Sequence, residues 1–195
     1  MKKSFHLLTS LIMVAVLSLS LCTPTLAKEE NTNNNNDKVI SIQISDTEAL
    51  FFPSEKDYNS YLKHQEILKT QITPKYVTTQ EVSRKNLYKK FIGYHKNTSS
   101  WKKASYYILK EGTSCSVSTK YSMDGISCTL SANVYSEVET KIEADKTRES
   151  KLGIYGDYLV RHMRDFYNDQ NGCYDTYDYV KTKLLDTHIL VTYYK

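Results

Sequence analysis

Few residues in this chain have the type and spacing that chemistry needs. Five histidines occur. His6 lies in an N-terminal leader, and His64, His95, His162 and His188 stand far apart, with no pair at i, i+2 or i+4. No two of them can therefore meet on one local helix or strand face to hold a metal ion. There is no G-x-S-x-G elbow, and no cysteine sits in a protease-like setting. Asp157, His162 and His188 would form a hydrolytic set only if the fold gathered them into one pocket. The run Asp169-Gln170-Asn171-Gly172, with Asp165, Asp175 and Asp178 around it, invites a calcium reading. Setting Gly172 at the sixth position of an EF-hand loop puts Tyr167 at the first ligand position and Asp178 where a bidentate Glu belongs, so a plain turn fits better. No Gly-rich phosphate loop occurs. These absences lead us to expect a non-enzymatic protein with no cofactor and no metal.

The chemistry that remains is contact chemistry. Seventeen tyrosines and a single tryptophan, Trp101, stand among strand-like sequence. Tyr suits a pleated surface with one wet face, and its ring and hydroxyl also serve as a contact surface. Trp101, Tyr106, Tyr107, Tyr155 and Tyr158 are the candidate ligand contacts, chosen because their aromatic chemistry tolerates exposure. The partner would be a cell-wall polymer, a glycan or an extracellular protein. Nucleic acid is not expected: the formal charge of +4 falls to +2 when Lys2 and Lys3 leave with the leader, and the lysines are scattered among acids.

The element around which the chain is organised runs from Thr113 to Val138. Asp124-Gly125 is the dipeptide of a type I′ turn, in which both central residues take positive φ. Before it Cys115, Val117, Thr119, Tyr121 and Met123 share a face; after it Ile126, Cys128, Leu130, Ala132, Val134 and Val138 do. A two-residue turn sets Met123 opposite Ile126 and Cys115 opposite Val134, so both apolar sets fall on one side of the pair. The other side is Ser, Thr, Lys, Asn, Tyr and Glu. Two runs of about ten alternating residues are also what a membrane-inserting hairpin requires. In that respect the stretch resembles the stem hairpins of aerolysin-type pore-forming toxins. That resemblance implies membrane activity, with Val117, Tyr121, Leu130 and Val134 facing lipid. Half-buried strands of a sandwich show the same alternation.

The leader reads as a secretory signal over residues 1–27: Lys2 and Lys3, an apolar stretch from Leu7 to Leu21, and the small-x-small site Thr25-Leu26-Ala27. Secretion is the expectation. Leu19-Ser20-Leu21-Cys22 approximates a lipobox, but Leu21 stands where that motif wants Gly, Ala or Ser, so a lipid anchor on Cys22 is the lesser reading. Residues 28–38 form a polar, asparagine-rich leader expected to be disordered. Residues 39–74 are expected to hold a strand and a helix capped by Ser54. They could make a subdomain, a packing lid or a removable pro-segment. Residues 75–195 are expected to form an antiparallel β domain. Within it, Leu87–Tyr94 should bend into a loop and Glu139–Lys151 should be a solvated connection, or else prolong the second hairpin strand as far as Ile142. Leu152–Phe166 should be the longest strand, with bends at Gly153 and Gly156, and 174–194 a second hairpin. Cys115 and Cys128, three rungs apart in the hairpin register, are better read as buried thiols than as a disulfide. The fold class expected is mainly β: an antiparallel β-sandwich-like domain with a short N-terminal helix.

F-I-G-Y-H (91–95), W-K-K-A-S-Y-Y (101–107) and K-L-G-I-Y-G-D-Y (151–158) resemble segments of small secreted proteins of low-GC Gram-positive bacteria, over about residues 75–195. That group carries no assigned activity. The resemblance implies export and a β fold, and it transfers no functional residue.

Overall fold

The structure is a computed structural model that describes residues 39–70, 76–169 and 172–195; the expected signal, the expected polar leader, Cys22, and Gln170 and Asn171 of the acidic turn lie outside the described residues. In chain order its elements are β1 (Ile40–Gln43), β2 (Glu48–Phe52), α1 (Glu55–Thr70), β3 (Tyr76–Tyr94), a 3-10 turn at Lys96–Thr98, β4 (Lys102–Lys103), β5 (Tyr106–Leu109), β6 (Ser114–Met123), β7 (Ile126–Tyr135), β8 (Thr140–Glu143), β9 (Glu149–Asp169), β10 (Gly172–Leu184) and β11 (Ile189–Tyr194). The fold is mainly β and antiparallel, with one α-helix among the described residues, and is sandwich-like.

The axis is β9. Along one edge β3 pairs with it from Tyr76↔Asn168 to Tyr94↔Gly153, and β4 continues the same line at Lys102↔Ser150. Leu87–Tyr94 therefore does not leave the sheet. The strand absorbs its irregularities as three register shifts, at Glu81/Ser83, Leu87/Lys90 and Phe91/Gly93, with Lys89 at φ 47. The bends expected at Gly153 and Gly156 of β9 thus fall on its partner, which is an outer strand and free to bulge. Along the other edge β10 pairs from Gly172↔Asp169 to Leu184↔Tyr158, and β11 from Ile189↔Tyr155 to Tyr194↔Ser150. The expected second hairpin is absent: β10 and β11 do not pair with each other. They are two lengths of one line against β9, interrupted where Leu185 N donates to Asp157 O at 2.8 Å.

β2 joins the free side of β10 and β1 joins β2. The N-terminal segment is thus built into the same sheet. Leu50 and Phe52 point to one core, Ala49 and Phe51 to the other. The helix begins as expected: Ser54 Oγ accepts from Asp57 N at 3.1 Å, satisfying a donor the helix cannot. Tyr58, Tyr61 and Leu62 of α1 pack on Phe52, Tyr177 and Tyr179.

The opposite face of the sheet carries β6 and β7. Their register matches the expected one at every rung, from Met123↔Ile126 to Cys115↔Val134, with Asp124 at φ 52 and Gly125 at φ 82. Leu130, Ala132, Cys128 and Cys115 are buried against Ile154, Tyr158, Val160 and Val180. Both thiols are free, and burial pushes that of Cys128 up to about 12, which leaves it unreactive. The expected solvated connection holds a strand: β8 pairs with β5, from Tyr106↔Glu143 to Leu109↔Thr140. Ile142 packs with Tyr107, Leu109 and Leu152, while Lys141 and Glu143 face water. Ile142, with Ala144 just past the strand, supplies the apolar contacts among many charges.

Candidate functional site

Alternation along β9 puts Ile154, Tyr158 and Val160 under the hairpin and Leu152 under β5 and β8, and leaves Lys151, Gly153 and Tyr155 on the side of α1. The helix packs near Met163, Tyr177 and Tyr179. The other half of that face carries aromatic side chains, and beside them Ile189, Val191 and Tyr193 of β11 stand 43%, 43% and 40% exposed. Register brings the rings together. Phe91 lies opposite Tyr155, Tyr94 opposite Gly153, and Tyr193 opposite Lys151. Phe91 contacts Tyr94, Tyr155 and Tyr193 at centroid distances of 4.9, 5.3 and 5.7 Å, mostly edge to face. Tyr94 and Tyr193 meet Trp101 at 5.7 and 6.2 Å. Gly153 makes the floor: a Cβ there would lie 2.9 Å from the Tyr155 ring and 3.3 Å from that of Phe91.

Trp101 reaches this face through a pinned loop. His95 N donates to Leu152 O at 2.9 Å, the Thr98 hydroxyl donates to His95 O at 2.9 Å, and Thr98 Oγ1 accepts from Leu152 N at 3.1 Å. The buried His95 ring accepts from Asn97 N at 3.3 Å, capping the 3-10 turn. Lys151 sits among the rings, its Nζ 5.1 Å from the centre of Tyr94 and 5.2 Å from that of Trp101, and donates to Ser99 O at 2.8 Å. Burial, and then the neighbouring Tyr193 and Tyr94, push the Tyr155 hydroxyl above its ordinary value.

Of the five candidate contacts, Trp101 and Tyr155 thus share one cluster. Tyr106 is exposed on β5, beneath Lys141 Nζ at 4.7 Å, away from it. Tyr107 and Tyr158 are core residues here. Tyr107 OH donates to Ser150 O at 2.7 Å and Tyr158 OH to Ser131 O at 2.7 Å, and burial leaves neither with a surface to offer. Phe91, Tyr94 and Tyr193 were missed. The signal for Phe91 and Tyr94 was aromatic residues beside glycine in F-I-G-Y, where a missing Cβ makes room for rings; Tyr193 has no glycine beside it and carried no such signal.

The hairpin residues are placed differently. Leu130 is 1% exposed, while Val117, Tyr121 and Val134 are half-buried. A Cβ at Gly93 would stand 3.1 Å from that of Val117, so the hairpin rests almost on the β3 backbone. Among the described residues β6 and β7 form a two-stranded sheet of their own. Polar contacts tie it down at three places. At the tip the Ser83 hydroxyl donates to the Asp124 carboxylate, and His162 Nδ1 lies 2.9 Å from Asp124 Oδ2. These two partners, Ser83 first, hold the Asp124 carboxyl below the usual range. Midway, Tyr158 OH bonds Ser131 O and meets His188 Nε2 at 2.9 Å. At the base Lys96 N donates to Cys115 Sγ at 3.4 Å.

Asp157, His162 and His188 do not converge. Asp157 Oδ1 accepts from Lys89 N at 2.6 Å, His162 bridges Asp124 and Asp178, and His188 serves Tyr158. The acids around the 169–172 turn also diverge: Asp178 pairs with Arg164 at 2.7 Å, Asp175 with His64 at 3.3 Å, and Asp165 is buried beneath Tyr179. Among the described residues no group of three or more His, Cys, Asp or Glu is placed to hold a metal ion, and no helix is long and apolar enough to cross a membrane. Compared with known proteins, the chain matches no family model, no curated protein and no solved structure.

Proposed function

We propose that the protein is an exported, non-enzymatic binding module that acts at or outside the cell surface, with the aromatic face as its contact surface. One observation carries this reading. Phe91, Tyr94, Trp101, Tyr155 and Tyr193, drawn from three strands and a pinned loop, are packed into one cluster on the part of the sheet that also leaves Ile189 and Val191 exposed. Rings already ordered by their neighbours lose little freedom when a ligand settles on them. The test is co-sedimentation of the exported chain with washed Gram-positive cell walls. The wild type is expected to pellet selectively, and Tyr193→Ala to weaken the association at least ~10-fold, as central aromatic anchors do. Equal pelleting by a folded Tyr193→Ala variant would take the contact away from this face.

A second reading, membrane activity through β6–β7, is favoured by a different observation: the hairpin shares no backbone ladder with any other described strand. Leaving the sheet would break side-chain contacts and no inter-sheet backbone ladder. Its ten-residue strands are long enough to span a bilayer when tilted, and their one charged residue, Lys120, lies on the polar side. A lone hairpin in lipid would leave its outer edges unpaired, so several copies would have to close a barrel. Dye release from liposomes should then vanish in an oxidised Gly93→Cys/Val117→Cys variant, which staples the hairpin to β3, and return on reduction. Intact vesicles with the wild type at every lipid composition would remove this reading.

A further inference from the structure

We propose that the ligand of the aromatic face is an anionic glycan polymer, an inference that rests on the binding-module reading and sharpens it. Three observations converge. The segment 88–103, which supplies Phe91, Tyr94 and Trp101, contains five lysines and no acid; Lys102 turns to the opposite face, over the Tyr107 ring, and Lys89, Lys90, Lys96 and Lys103 remain around the cluster. Lys151 brings a cation in among the rings and commits one hydrogen bond, to Ser99 O, of the three its ammonium can donate. Acids of β9 on this face are engaged or buried: Glu149 pairs with Lys195 at 3.3 Å, Asp157 accepts from the backbone of Lys89, and Asp165 lies buried beneath Tyr179, towards α1. What the face offers is therefore apolar ring surface together with positive charge.

Its shape fits a chain rather than a single sugar. Ile189, Val191 and Tyr193 stand on successive same-face rungs beside Tyr155, Gly153 and Lys151. At the strand rise those rungs span roughly 14 Å. Sugar rings present flat C–H faces that stack on aromatic rings, while carboxylate or phosphate substituents answer the lysines. Edge-to-face packing holds the rings in a rigid relief that suits stacking better than plunging into lipid.

Trp101 is the only tryptophan, so its fluorescence reports on this face alone. The exported chain would be titrated with polygalacturonate, with its fully methyl-esterified form, and with phosphatidylglycerol vesicles. Polygalacturonate is expected to shift Trp101 emission. The neutral ester should bind at least 10-fold more weakly, and affinity for the acid should fall as salt rises from 50 to 300 mM. Lys151→Gln should weaken binding about ten-fold, and Lys151→Arg should restore it; thermal unfolding of both variants would check that they are folded. Equal binding of acid and ester would overturn the anionic assignment and leave the binding module standing. A response to vesicles alone, or none to polygalacturonate, would also overturn it. Wall association that ignored Tyr193→Ala would bring down the underlying reading instead.

Discussion

Acidification from pH 7 to pH 5 is expected to destabilise the protein, through the buried His64 and His95 and the half-buried His188. Burial holds His64, His95 and His188 below the ordinary imidazole value. For His64 burial outweighs the opposing pull of Asp175, with Lys63 adding to the depression and Asp165 opposing it. For His95 burial is joined by Lys96. For His188 it outweighs bonds to the backbone of Asn133 and Ser131. A histidine whose folded value lies below its unfolded one stabilises the fold fully above about pH 6.5 and loses that contribution as pH falls through the folded value. While the unfolded chain holds a proton that the folded one lacks, each such group changes stability by at most about 1.4 kcal/mol per pH unit. A domain of this size has only about 5–15 kcal/mol in hand. Asp165 works the other way: burial raises its carboxyl, so the folded state gains as that group takes its proton at lower pH. Urea midpoints at pH 7.5, 6.5, 5.5 and 5.0 would measure the slope. His188→Gln should reduce it, and a flat profile would refute the assignment.

Replacing Leu130 with Asp is expected to abolish cooperative folding. Leu130 is 1% exposed between the two layers, and its truncation alone would cost about 2–5 kcal/mol. An unpaired carboxylate buried there adds several kcal/mol more, or forces the hairpin off the sheet. Ser127→Asp, on the exposed side of the same strand, should change stability by less than about 0.5 kcal/mol. Val117→Asp should fall between them, because Val117 is half-buried against Gly93. Thermal unfolding followed by near-ultraviolet dichroism separates the three. A sharp transition retained by Leu130→Asp would show that the sheet folds without its hairpin, which would strengthen the membrane reading.

The two expectations met most closely by the structure both rest on local information. The β6–β7 register follows from Asp124-Gly125 and a period of two, both contained within 26 consecutive residues. The start of α1 follows from one serine hydroxyl and an amide three residues on. Turn chemistry and capping act over a few bonds, so the residues that decide them lie side by side in the chain.

The partners of the long strands were decided elsewhere. Nothing in the alternation of Ile189–Tyr194 says whether it pairs with β10 or with β9. It joins β9 because that strand, running from Glu149 to Asp169, still has an unpaired length of edge where β10 stops at Leu184. The same distant pairing carried Tyr193 to Phe91, and the pinned 95–101 loop brought Trp101 to both, assembling the aromatic face from positions about a hundred residues apart. It also set the tip of the hairpin against Ser83 and His162. Periodicity specifies which face of a strand is apolar. Which neighbour covers that face is chosen by burying the most surface over the whole chain, and that choice is made only in the folded molecule.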